Sequence, residues 1–152
     1  MTVTITPVVT LPEAKQVWNN TQADEHWQLV HHEYIGITFR VVKKCTLMRT
    51  SETCVGRIQV LVDPVTHHVV TCDQWGEREA TPNVVADEHI VTRARQIVAP
   101  IVMRKLKLMA NFGLEVDHYE PRVLKPNWLV TNKRLQGLVD GLTGQVAVRE
   151  TV

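Results

Sequence analysis

Serine is almost missing from this chain of 152 residues: Ser51 is the only one. There is no G-x-S-x-G turn and no usable Ser/His/Asp order, so a serine-hydrolase site has nothing to form from. No H-E-x-x-H helix occurs either, which removes the zinc-peptidase arrangement written in that pattern. Cysteine is scarce and odd in number. Cys45, Cys54 and Cys72 lack C-x-x-C spacing and read as buried thiols or half-exposed strand residues. Cys45 and Cys54 flank the connector 46–53, where a disulfide is geometrically conceivable, but two neighbouring thiols are the plainer reading.

A charge excess of one sign is also lacking. Seventeen Lys and Arg face sixteen Asp and Glu, a net charge of +1. Nothing therefore pulls the whole molecule toward nucleic acid or an anionic membrane. Long apolar runs are absent too; each is broken by a charge within a few residues, whereas a spanning helix needs ~20 apolar residues. The stretch Met1–Thr10 has no basic n-region and no small-residue cleavage site, so it is not expected to be a signal peptide, and a cytoplasmic location is expected. Its alternation of Thr2, Thr4 and Thr6 with Val3, Ile5 and Pro7 suits a short strand or extended arm.

What is present is a globular composition, 44% hydrophobic and 22% charged, long enough for one domain or two small ones sharing a core. An internal repeat organises it. Residues 57–69 (RIQVLVDPVTHHV) lie over 134–146 (RLQGLVDGLTGQV) without a gap, at a constant offset of 77. A fainter echo sets Thr6–Glu13 against Thr81–Glu88. The chain thus reads as two repeats, 1–75 and 80–152, joined by the polar connector Trp75–Glu79.

Each repeat begins with a helix. Thr10 and Glu13 have capping-box spacing ahead of Leu11, Ala14, Val17 and Trp18. Asp87 is placed to cap a second helix carrying Ile90, Ala94, Ile97, Val98 and Ile101. Pro100 is expected to kink or split that helix, and Gly113 to stop it. Strands are expected over 33–45, 54–62 and 69–72, and over 114–119, 123–131, 134–139 and 145–148. Gly144 suits a positive φ in the last turn. His67 stands at the matching place, so the first turn is expected to be different or strained.

Alternation puts Ile58, Val60 and Val62 with Leu135, Gly137 and Val139 on one strand face, toward the helix. Arg57, Gln59, Leu61, Arg134, Gln136 and Leu138 fall on the other, half-polar face, which is the expected partner-binding surface.

The segment Val139-Asp140-Gly141-Leu142-Thr143-Gly144-Gln145-Val146 resembles the terminal hairpin of PepSY domains, and the helix-then-strands order is similar to the wider cystatin-like architecture. The resemblance covers the terminal hairpin well and each repeat only in outline; Val62–His67 lacks the glycine. It implies an α+β fold in which each of two repeats wraps an antiparallel β-meander round its own helix. It also implies a non-catalytic module that binds or restrains another protein, often a peptidase.

Few residues offer chemistry. His31, Glu33, His67, His68 and Cys72 are ligand types for zinc, but nothing in their spacing makes them converge, and solvated strand-end histidines explain them better. Asp117 and His118 are the one adjacent pair that suits acid–base work, if a pocket desolvates them. Arg93, Arg104 and Lys107, with Arg95 and Lys105 at the margins, make a basic helix side without aromatic neighbours, so nucleic acid is not an expected partner. The reading is a non-catalytic interaction or regulatory module without cofactor, acting through an exposed strand face or sheet edge. It is expected to form a homodimer and to bind a protein or peptide. The alternative is a small cystatin-like-cone enzyme or ligand-binding protein with a pocket between helix and sheet.

Overall fold

A computed structural model of the chain describes residues 2–18, 24–45, 51–71, 86–106 and 112–150. The connector Trp75–Glu79, the echo at 81–85, Cys72 and Lys107 lie outside these residues.

Capping side chains start both helices. Thr10 Oγ1 accepts a hydrogen bond from Glu13 N (3.4 Å) and donates to Glu13 Oε1 (2.9 Å), opening α1 (Leu11–Val17). Asp87 Oδ1 accepts from His89 N (3.0 Å) and Ile90 N (3.3 Å), opening α2 (Glu88–Leu106). Pro100 lies inside α2, and Gly113 belongs to a strand instead of ending the helix.

The remaining elements are strands: β1 (Val3–Thr4), β2 (His26–Cys45), β3 (Ser51–Val62), β4 (Val69–Thr71), β5 (Phe112–Thr131), β6 (Leu135–Asp140) and β7 (Val146–Glu150). β2 begins seven residues before its expected start. β5 runs unbroken through Pro121, where two strands were expected. Proline lacks the amide that a paired strand donates. β5 pairs with β6 only from Asn127 onward, beyond Pro121.

The two hairpins match bond for bond. Asp63 Oδ1 accepts from Val65 N (2.8 Å) and Thr66 N (3.0 Å); Asp140 Oδ1 accepts from Leu142 N (2.8 Å) and Thr143 N (3.1 Å). Thr66 Oγ1 and Thr143 Oγ1 each accept from the amide two residues on, at 3.3 Å. The first turn is the same turn and not a different one: His67 takes φ 59° where Gly144 takes 79°.

The expected fold class does not hold. The strands form one mostly antiparallel seven-stranded sheet in the order β4-β3-β2-β5-β6-β7, with β1 paired to β5. The two compact units are not 1–75 and 80–152. One comprises Met1–Val3 and Tyr34–Val123; the other comprises Thr4–Glu33 and Leu124–Val152. So α2 of the second repeat belongs with β3 and β4 of the first, and α1 of the first belongs with β6 and β7 of the second. Each repeat's helix is exchanged. Apolar periodicity marks the buried face of a helix but not which strands cover it.

In the first unit, Ile35, Ile37, Phe39 and Val41 alternate along β2 and Ile58, Val60 and Val62 along β3. They pack with Ile90, Val91, Ala94, Val98 and Val102 of α2. Ile97, expected in that stripe, is exposed. The opposite strand face is buried as well: Leu61 is 0% exposed, and Gln59 donates to Thr38 Oγ1 at 3.4 Å.

In the second unit, Trp18 is 2% exposed at the end of α1. It donates from Nε1 to Glu25 Oε2 (2.5 Å) and meets Trp27 edge-on at 6.3 Å. Its six-membered ring covers Gly137 of β6, where a Cβ would overlap it. The chain before α1 is tied down by Val8 N and Val9 N, both donating to Gly141 O at 2.9 Å, and by Trp128 Nε1 donating to Val9 O at 2.8 Å.

Candidate functional site

Among the described residues, the second unit carries a sheet edge that no further strand pairs. β7 ends the strand order, and all five of its residues are exposed. Its pairs with β6 run Val139↔Val146, Leu138↔Ala147, Gly137↔Val148, Gln136↔Arg149 and Leu135↔Glu150. Asp140 N donates to Gln145 O (2.8 Å), so residue 145 points its backbone groups inward. Antiparallel alternation then turns Ala147 and Arg149 inward and leaves the N–H and C=O of Val146, Val148 and Glu150 pointing out.

Beside this edge, on the strand face away from Trp18, lies an open groove of about 450 Å³. Its floor is Val30, Leu129, Leu138 and Ala147; Leu129↔Leu138↔Ala147 is one cross-strand row. One end carries Gln136 and Arg149, with Arg149 Nε donating to Gln136 Oε1 at 2.5 Å. His32 lines the groove and its Nδ1 meets the Asn127 amide nitrogen at 2.7 Å. The next row beyond the floor, Asn127↔Asp140, is a buried polar cluster. Lys125 Nζ donates there to Asp140 Oδ2 (2.7 Å) and Asn127 Oδ1 (3.0 Å). Burial pushes the Asp140 carboxyl up, but Lys125 and the amides of Leu142 and Thr143 outweigh it, and the net shift is downward.

The expected partner face divides between the units. Gln136 and Leu138 line the groove, and Arg134 is exposed. Gln59 and Leu61 are buried, so they are not available to a partner; Arg57 is exposed and pairs with Asp117 at 3.1 Å. The near-continuous apolar run Val60-Leu61-Val62, which suits a strand covered on both faces, was the signal for this. Val30, His32, Leu129, Ala147 and Arg149 were not singled out as groove residues. They reach it through the pairing of distant strands.

The Asp117–His118 pair is split. Asp117 faces Arg57, while buried His118 lies 2.6 Å from buried Glu120, and neither lines the groove. His31 and Glu33 are exposed on β2; His67 and His68 sit in the first hairpin turn. The described residues contain no group of three or more His, Cys, Asp and Glu placed to hold a metal ion, and Cys72 lies outside them. Cys54 is exposed, and the Arg40 guanidinium beside it, helped by Gly56, holds its thiol below the usual range. No helix among the described residues is long and apolar enough to cross a membrane.

No family model matches the chain, and no curated protein or solved structure matches it.

Proposed function

We propose that this chain is a non-catalytic interaction module that takes an extended segment of a partner as an added strand beside β7. One observation carries the reading. β7 presents outward N–H and C=O groups on Val146, Val148 and Glu150, beside a groove with an apolar floor. Strand addition draws affinity from such main-chain groups and specificity from pockets for alternate side chains. Natural sheets usually blunt an edge with prolines, bulges or cover. The first three residues of β7 are Val, Ala and Val, and no strand covers them among the described residues. The resemblance of residues 139–146 to a PepSY hairpin supports a binding role, and that segment joins β6 to β7.

The enzyme reading has one observation in its favour, the buried His118–Glu120 pair at 2.6 Å. A catalytic pair must touch a substrate, and these residues line no part of the groove.

Proline separates the two edges of β7. At Val148 it removes an outward amide and leaves the bonds to β6 intact; at Ala147 it removes an inward one. Random peptides displayed on phage are the probe. Val148→Pro is expected to retain the native melting temperature and to lose the peptides that the unmodified chain selects, whereas Ala147→Pro lowers the melting temperature. Undiminished selection by a folded Val148→Pro variant rules out strand addition.

A further inference from the structure

Resting on that reading, we infer that the added strand comes from a different protein and carries an acidic side chain two positions from an apolar one. Charge and strand parity both point to it. Arg149 lines the groove and bonds the neutral Gln136; no carboxylate meets it among the described residues. A strand laid beside β7 sets its own alternate residues next to Ala147 and Arg149 on the groove face. The position next to Ala147 extends the apolar floor of Leu129 and Leu138. The position next to Arg149, two residues along, is where a carboxylate completes a charge-assisted, forked pair.

A second copy of this chain cannot supply that carboxylate from its own β7. Two-fold antiparallel pairing of β7 with β7 keeps each strand face on its own side, so odd-numbered residues meet odd-numbered ones. The acidic residue of β7, Glu150, is even-numbered and lies on the face that carries Val146 and Val148. Self-pairing therefore sets Gln145, Ala147 or a second Arg149 against Arg149, and never Glu150. The groove is complementary to an acidic–apolar strand, and β7 of a second copy is not one.

The test selects displayed random peptides in parallel on the full-length chain and on its Val148→Pro and Arg149→Glu variants, at neutral pH and low salt. The unmodified chain should enrich Asp or Glu two positions from Val, Ile or Leu. A synthetic copy of an enriched peptide should bind Arg149→Glu at least about fivefold more weakly. Arg149→Glu should itself enrich Lys or Arg at that position, and Val148→Pro should enrich neither. Peptides that Val148→Pro rejects but that lack an acidic position and ignore Arg149→Glu overturn this inference and leave strand addition standing. Peptides that bind Val148→Pro unchanged overturn strand addition itself. A chain that enriches nothing and sediments as a dimer, dissociated by Val148→Pro, identifies a second copy as the occupant and overturns the inference. One that enriches nothing and sediments at 17.3 kDa overturns both.

Discussion

Gly137→Ala is the sharpest probe of the exchanged helix. A methyl at Gly137 would lie 2.8 Å from Val130 Cγ1 and well inside van der Waals distance of Trp18 Cζ3 and Cη2. Trp18 has little room to retreat, being 2% exposed, bonded to Glu25 and packed edge-on against Trp27. Ejecting it forfeits burial worth about 4–6 kcal/mol, from roughly 150–250 Å² at ~25 cal/mol per Å². Shifting it instead incurs an overpacking penalty of about 1–3 kcal/mol, so the shift wins. Alanine also restricts the unfolded chain, which returns roughly 0.4–1 kcal/mol. The expected net effect is a destabilisation of about 1–2 kcal/mol, read from urea unfolding at constant m. Gly113→Ala is the control, because nothing lies within 4 Å of the place a Cβ would take there; it should be neutral or slightly stabilising. Trp18→Leu should lose its additivity with Gly137→Ala, by roughly 1 kcal/mol or more in a double-mutant cycle. A neutral Gly137→Ala, or strict additivity with Trp18→Leu, refutes the packing of α1 on β6.

The matched turns give paired predictions. Gly144→Ala should destabilise by about 1 kcal/mol, because φ 79° disfavours a Cβ. His67→Gly should gain less than that in thermal unfolding, since it gives up the ring contact with His89 at 5.8 Å. Asp140→Asn should be much more harmful than Asp63→Asn. Both amides can still accept the turn bonds, but only Asp140 holds a buried lysine, Lys125, and breaking such a pair costs roughly 3 kcal/mol. Because the folded Asp140 carboxyl is depressed, its stabilisation is complete above the unfolded value of about 3.9 and is lost as pH falls through the lower folded value. Acid unfolding should therefore shift when Asp140 is changed. Cys54 should react with iodoacetamide at lower pH than a free thiol, and Arg40→Met should move that profile upward.

How legible the molecule was depends on how local each determinant is. The caps at Thr10 and Asp87 and the two hairpin turns are settled within three to five residues, and they formed where their side chains required. The helix exchange was not legible, because Ala14 and Trp18 announce an apolar stripe without naming the strands that cover it. The strands expected over 114–119 and 123–131 are one strand, β5, because local propensity marks β-forming stretches without showing that they join. Of the expected partner face, Gln136 and Leu138 line the groove, whereas Gln59 and Leu61 are buried. Alternation shows that two faces differ, but burial of the second depends on what packs against it. Arg149 and His32 became groove residues only through the alignment of β2, β5, β6 and β7.

Strand addition at β7 is tested residue by residue by amide hydrogen exchange, in the free protein and with a selected peptide. In the free protein Val146, Val148 and Glu150 should exchange fast while Ala147 and Arg149 are protected, and the three fast amides should become protected on peptide saturation. Protection of all five amides in the free protein, or no change at Val148 when the peptide is bound, contradicts it.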